Sequence, residues 1–189
     1  MTATSGPRRI GTTDSKTREQ LLDAAERVLM DEGYAAVTSR RVAAAAGLKP
    51  QLVHYYFRTM DDLYLEVFRR SADAAIAHTE AVLAQDPSLA ALWDLNNDPR
   101  GARFIIEFAA LANQRKEIRT EIARYAKRNR ALQLKAMTAA LPDDSIPPMV
   151  ALLVMTGLGQ IMGIEEGLGV SDGHAATAAF VAQTLKQLG

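Results

Sequence analysis

The sequence predicts an all-α protein. No stretch sustains the apolar–polar alternation of a strand, and apolar residues recur at helical spacing along most of the 189 residues. Aromatics are sparse at 6% while alanine is abundant, which tilts the chain further toward helix. Apolar residues at 48% and charged residues at 23% are the proportions of a globular chain long enough to bury a core. The absence of cysteine excludes disulfide scaffolds, thiolate zinc sites and thiol nucleophiles, and fits a reducing compartment. The net charge is zero, yet residues 1–58 hold nine basic against six acidic residues, a surplus of +3 that the remainder cancels. A small basic head on an acidic body points to an anionic partner for the head.

Residues 1–13 are rich in Thr, Ser and Gly without an apolar stripe and read as a flexible arm carrying Arg8 and Arg9. No apolar run follows these arginines, so a secretory leader is not expected and the chain is placed in the cytoplasm. Thr17 and Gln20 have the spacing of a capping box, after which Leu21, Leu22, Ala25, Val28 and Leu29 share one face until Gly33 stops the helix. Val42, Ala43 and Ala46 then give a short helix with a small-residue face. Gly47 breaks it, Leu48 turns inward, and Pro50 opens a second short helix with Leu52, Val53 and Tyr56. Two short helices around a Gly-containing turn outline a helix-turn-helix, although helical hairpins that never touch DNA share the outline.

Thr59 and Asp62 cap a further helix running to about residue 84, roughly 40 Å at 1.5 Å per residue, long enough to join head to body. A shorter helix follows through Leu89, Leu92 and Trp93, and residues 96–99 break the chain again. Residues 103–113 form an apolar helix, 116–140 a long one rich in Arg and Lys, and 149–168 and 174–188 the last two, about nine helices in all. The uncharged run 147–164 reaches only the lower end of membrane-spanning length and leads directly into Glu165 and Glu166, so a helix largely buried in protein is expected and no membrane partner.

The segments TREQLLDAAERVLMDEGY and VTSRRVAAAAGLKPQLVHYYFRTMDDL resemble the amino-terminal domain of TetR-type (TetR/AcrR) transcriptional regulators over residues 15–64. The resemblance implies a DNA-binding head at 1–58 and a ligand-binding and dimerisation body at 59–189. It places Thr38, Ser39 and Arg40 against phosphates at the start of the first motif helix. Lys49, Pro50, Gln51 and Leu52 would enter the major groove of double-stranded DNA, with His54, Tyr55 and Tyr56 on the backbone, and Arg58, or Arg8 and Arg9 of the arm, would replace the cationic contact that a methionine at position 60 cannot make. The chemistry agrees, since a glutamine offers a paired donor and acceptor to an adenine edge and a leucine can meet a thymine methyl. Two positions depart from the family. His54 stands where tyrosine is usual, and Met60 where a phosphate-binding lysine is usual.

The resemblance implies a ligand pocket in the body, for which Phe68, Trp93, Phe104, Phe108, Tyr125, Met155 and Met162, from five helices, are candidate wall residues and Glu107 and Asn113 candidate polar anchors. Ordinary core packing competes with that role for each of them. Gly157, Gly159, Gly163 and Gly167 punctuate the second-last helix, where each glycine costs about 1 kcal/mol against alanine. Close approach of another helix explains them, and with Ala175, Ala178, Ala179, Ala182 and Leu185 of the last helix they suggest a four-helix interface in a homodimer.

No chemistry of catalysis stands out. His54, His78 and His174 lie in separate elements with no metal-ligand spacing, the acidic pairs 61–62, 143–144 and 165–166 diverge on helices or sit in a loop, and there is no nucleotide-binding glycine loop or nucleophile elbow. No cofactor, metal or catalytic residue is assigned. The expected function is a homodimeric repressor that binds a palindromic operator and is released by a small apolar effector. The alternative is a small-molecule carrier whose helical head binds another protein, and an enzyme ranks third.

Overall fold

The computed structural model describes residues 12–142 and 146–188, with side chains from Lys16 onward, and among these every regular element is a helix. Residues 1–11 of the expected arm, with Arg8 and Arg9, and the acidic pair 143–144 lie outside the described residues, while Thr12 and Thr13, expected in the arm, belong to the first helix. The chain separates into two compact units, one ending at Val67 and one beginning at Phe68.

The first unit holds α1 (Thr12–Glu32), a single 3₁₀ turn (Tyr34–Ala36), α2 (Ser39–Ala46), α3 (Pro50–Tyr56) and the first residues of α4 (Met60–Gln85). Helix α1 starts five residues before the capping-box spacing at Thr17, so that spacing falls inside the helix. Its apolar face buries Leu21, Leu22, Ala25, Val28 and Leu29 with Val42 and Ala43 of α2, Val53 of α3 and Leu63 of α4, all at most 2% exposed. The start of α4 is fixed by reciprocal bonds: the Thr59 amide donates to the Asp62 carboxylate at 3.0 Å and the Asp62 amide to the Thr59 hydroxyl at 3.1 Å. Tyr64 ties this turn to the 3₁₀ segment by donating its hydroxyl to the Val37 carbonyl at 2.9 Å.

The second unit contains the rest of α4 and α5 (Leu89–Asn96), α6 (Pro99–Ala112), α7 (Lys116–Ala140), α8 (Pro148–Gly167) and α9 (His174–Leu188). Helix α6 begins four residues before the expected position. Asp98 accepts from the amides of Arg100 and Gly101, and Pro99 occupies the first turn, where its missing N–H costs nothing. Helix α6 packs on α7 and α8, and α5 packs on α7, α8 and α9. Phe68, Phe104, Phe108 and Tyr125 form an aromatic cluster, with the Phe68 and Phe108 rings 5.0 Å apart in edge contact.

Helix α8 is long and apolar enough by length and composition to cross a membrane. In the fold it buries Leu152, Met155, Gly159 and Met162 against the rest of the unit, residues spaced three and four apart along one stripe. Its opposite stripe leaves Val150, Leu153, Val154, Ile161 and Ile164 exposed, and Phe180 of α9 is 70% exposed.

Candidate nucleic-acid interface and body cavity

The turn between α2 and α3 is built by Gly47, whose φ of 67° lies in the left-handed region that a side chain disfavours. Its amide donates back to the carbonyls of Ala43 and Ala44, closing α2 within one residue. Lys49 then precedes α3 in extended conformation and Pro50 sets its first turn. The buried side of this hairpin is Val42, Ala43 and Val53. Its outer side presents Arg40, Lys49, Gln51, His54, Tyr55 and Arg58 to solvent.

The individual positions sort by what already holds them. Arg40 is exposed and no hydrogen bond or ion pair engages it among the described residues. Its neighbour Arg41 is engaged: its guanidinium reaches both carboxylate oxygens of Glu32 at 2.9 and 2.5 Å. That pair holds the Glu32 carboxyl below its ordinary value, chiefly by the hydrogen bond from Arg41, and raises Arg41 in turn. Thr38 caps α2, its hydroxyl accepting from the Arg41 amide at 3.2 Å, and Ser39 is half-buried in the first turn. Leu52 and Tyr56 are half-buried, so these two are as much packing as surface. Tyr55 is 68% exposed and meets Tyr56 edge to face at 4.9 Å. Met60 is half-buried at the start of α4. Phe57 is buried beneath Arg18, whose guanidinium lies 5.4 Å from the ring centre and also pairs with Glu66.

The body contains a cavity of about 260 Å³ walled by α4 to α8 and the α5–α6 turn. Of the aromatic and methionine candidates only Tyr125 lines it. Phe68 borders a separate recess with Arg69, Glu121 and Arg128, Met162 borders another near His174, and Phe104 belongs to the aromatic cluster. Trp93 and Met155 pack in the core with Leu92, Met137 and Leu152, and Phe108 is fully buried. Large apolar side chains went where packing is densest, which the spacing in sequence could not distinguish from a cavity wall. Neither expected anchor lines the cavity: Glu107 is half-buried elsewhere on α6 and Asn113 is exposed at its end.

The polar groups that do line the cavity were missed. Asn96 donates to the Leu92 carbonyl at 2.7 Å and to the Gln133 Oε1 at 2.6 Å, and accepts from the Thr156 hydroxyl at 3.0 Å. Thr79 donates to Asn129 Oδ1 at 3.3 Å. Apolar walls come from Leu95, Ile105, Ile122 and Leu152, so the cavity is amphipathic. Burial raises the Tyr125 phenol above its ordinary value.

A helix-turn-helix head with an exposed face of cationic and amide side chains defines the class of helix-turn-helix DNA-binding proteins. Residues 21–67 match the family profile described as bacterial regulatory proteins, tetR family. The chain is 30% identical over 136 residues to the HTH-type transcriptional regulator BetI of Rhizobium meliloti (strain 1021), covering 67% of each sequence. Its fold is similar to a transcriptional regulator of Saccharomonospora viridis in complex with choline, at TM-score 0.73 and 20% identity over 92% of this chain and 95% of that one. It is also similar to a TetR transcription regulator of Haloarcula marismortui ATCC 43049, at TM-score 0.71 and 18% identity over 92% and 98% of the two chains. The chain belongs to the TetR family of DNA-binding transcriptional regulators.

Proposed function

We propose that this regulator is a cytoplasmic homodimeric repressor that binds a palindromic operator with one head per half-site and leaves it when a small molecule fills the body cavity. The observation that carries the DNA-binding half is the outer side of the α2–α3 hairpin. There Arg40 has no partner among the described residues, and Lys49 and Gln51 stand exposed at the start of a helix whose N-terminal amides attract phosphate. Arg40 and Lys49 would neutralise phosphates, Gln51 would read a base edge, and Tyr55 and Arg58 would hold the backbone. Half-buried Leu52 has only its outer surface to offer a thymine methyl. Thr38, spent as a cap, would act by presenting the α2 amides.

The apolar stripe of α8 with Phe180 of α9 supports a dimer, because a patch of this kind is what a self-complementary two-fold contact covers. The body cavity, and choline in the Saccharomonospora viridis protein of similar fold, support a small-molecule effector. Release requires the effector to bind the DNA-incompetent arrangement more tightly than the competent one. Selection of bound fragments from genomic DNA, followed by titration of the recovered operator with and without candidate effectors, tests the reading. Failure to enrich any fragment would overturn it.

A further inference from the structure

We infer that the body cavity takes a small organic acid, with the carboxylate held by amides and a guanidinium of α7, and not a quaternary ammonium ion. The inference rests on the cavity being the effector site. Its starting point is an orientation that the hydrogen bonds fix. The Leu92 carbonyl can only accept, so Asn96 turns its Nδ2 toward it, and the same nitrogen donates to Gln133. Gln133 must therefore present Oε1 to Asn96, which leaves its Nε2 donors without a partner among the described residues although the residue is only 3% exposed. Ser71 Oγ is the one buried side-chain polar atom without a partner among the described residues, so the Gln133 Nε2 is reached by solvent through the cavity and is a donor that an occupant can use.

The same imbalance repeats along one stripe of α7. Asn129, four residues before Gln133, spends its Oδ1 on Thr79 and keeps its Nδ2 unpartnered, and Arg130, at the exposed rim, engages no carboxylate among the described residues. These three side chains share a face because positions three and four apart on a helix adjoin. They offer several N–H groups and a positive charge to one region. The carboxylate lining the cavity is Asp98, and both of its oxygens already accept from the Arg100 and Gly101 amides. A donor-rich stripe with a guanidinium at its rim matches a carboxylate, which takes two parallel N–H bonds and a charge together. A quaternary ammonium ion is best held by several Trp, Tyr or Phe faces, and among the described residues the wall offers one of these, Tyr125, beside His78. The aliphatic part of the acid would lie on Ile105, Ile122 and Leu152.

The test uses the full-length protein with benzoate and hexanoate, their neutral amides, and choline, read by isothermal titration and by thermal shift. The acids are expected to bind saturably and at least about tenfold more tightly than the amides, with choline weaker still. Arg130→Gln, a rim substitution that leaves the core intact, should reduce acid affinity about tenfold and leave the amides unchanged. Choline or an amide matching the acids, no binding by either acid, or Arg130→Gln without effect would each overturn the inference. Operator binding is measured separately on the unliganded protein. An operator found with no acid bound would defeat the ligand class and leave the regulator standing, and the converse would do the reverse.

Discussion

Gly159 of α8 lies directly against the backbone of Asn96 at the end of α5: a Cβ added there would come 1.9 Å from the Asn96 carbonyl oxygen. One turn further on, a Cβ on Gly163 would meet the Ala102 methyl of α6 at 2.6 Å. These two glycines let α8 close on α5 and α6 within one chain, whereas Gly157 and Gly167 have nothing within 4 Å. The spacing in sequence had suggested one purpose for all four, an approach by a partner chain. Two of them serve the body's own packing instead.

Gly159→Ala should therefore destabilise the body by about 2 kcal/mol or more, because the obstacle is backbone and cannot swing aside. Gly157→Ala meets nothing within the chain, so it should spare the body's own packing, and any loss there would fall on the dimer contact. Urea unfolding followed by Trp93 emission distinguishes them, since Trp93 sits in the body core. Equal effects at the two positions would contradict the assigned packing.

Val154 and Phe180 are 57% and 70% exposed, so replacing either with aspartate removes no buried contact within the chain. If the α8–α9 face is the dimer contact, Val154→Asp and Phe180→Asp should each convert the protein to a folded monomer by sedimentation, because an unpaired charge would be buried at the interface. Unchanged dimers with both substitutions would move the interface elsewhere.

Arg40→Ala and Gln51→Ala should separate by salt. Loss of Arg40 should weaken operator and random DNA alike and reduce the slope of log affinity on log salt by about 0.9 per head. Loss of Gln51 should relax preference at one base pair by about 1–3 kcal/mol with the slope unchanged. Equal losses on operator and random DNA for Gln51→Ala would remove its base-reading role.

The Glu32–Arg41 pair gives the head an acid-sensitive contact. The Glu32 carboxyl is held below its ordinary value of 4.5, so the pair's contribution is complete above that value and is lost as pH falls through the lowered one. Wild type should exceed Glu32→Gln in stability at neutral pH, and the difference should shrink as pH drops below about 4.5. A difference independent of pH would show that something other than this carboxylate is responsible.

What the sequence determined by itself were features set by local chemistry. Gly47 and Pro50 define the helix-turn-helix because a left-handed residue and a ring-fixed φ act within a turn. The Thr59 and Asp62 cap was legible for the same reason. The exposed polar face at Arg40, Lys49 and Gln51 followed from the periodicity that buried Val42, Ala43 and Val53. Tertiary structure alone decided which of two adjacent arginines is spent, since Arg41 meets Glu32 only once α1 and α2 pack. It also decided that Trp93, Phe108 and Met155 fill core while Asn96, Asn129 and Gln133 line the cavity. Hydrophobic periodicity reports which face is turned inward. Whether the inward face meets a neighbour or empty space depends on how five helices close around it, and no single helix encodes that distance.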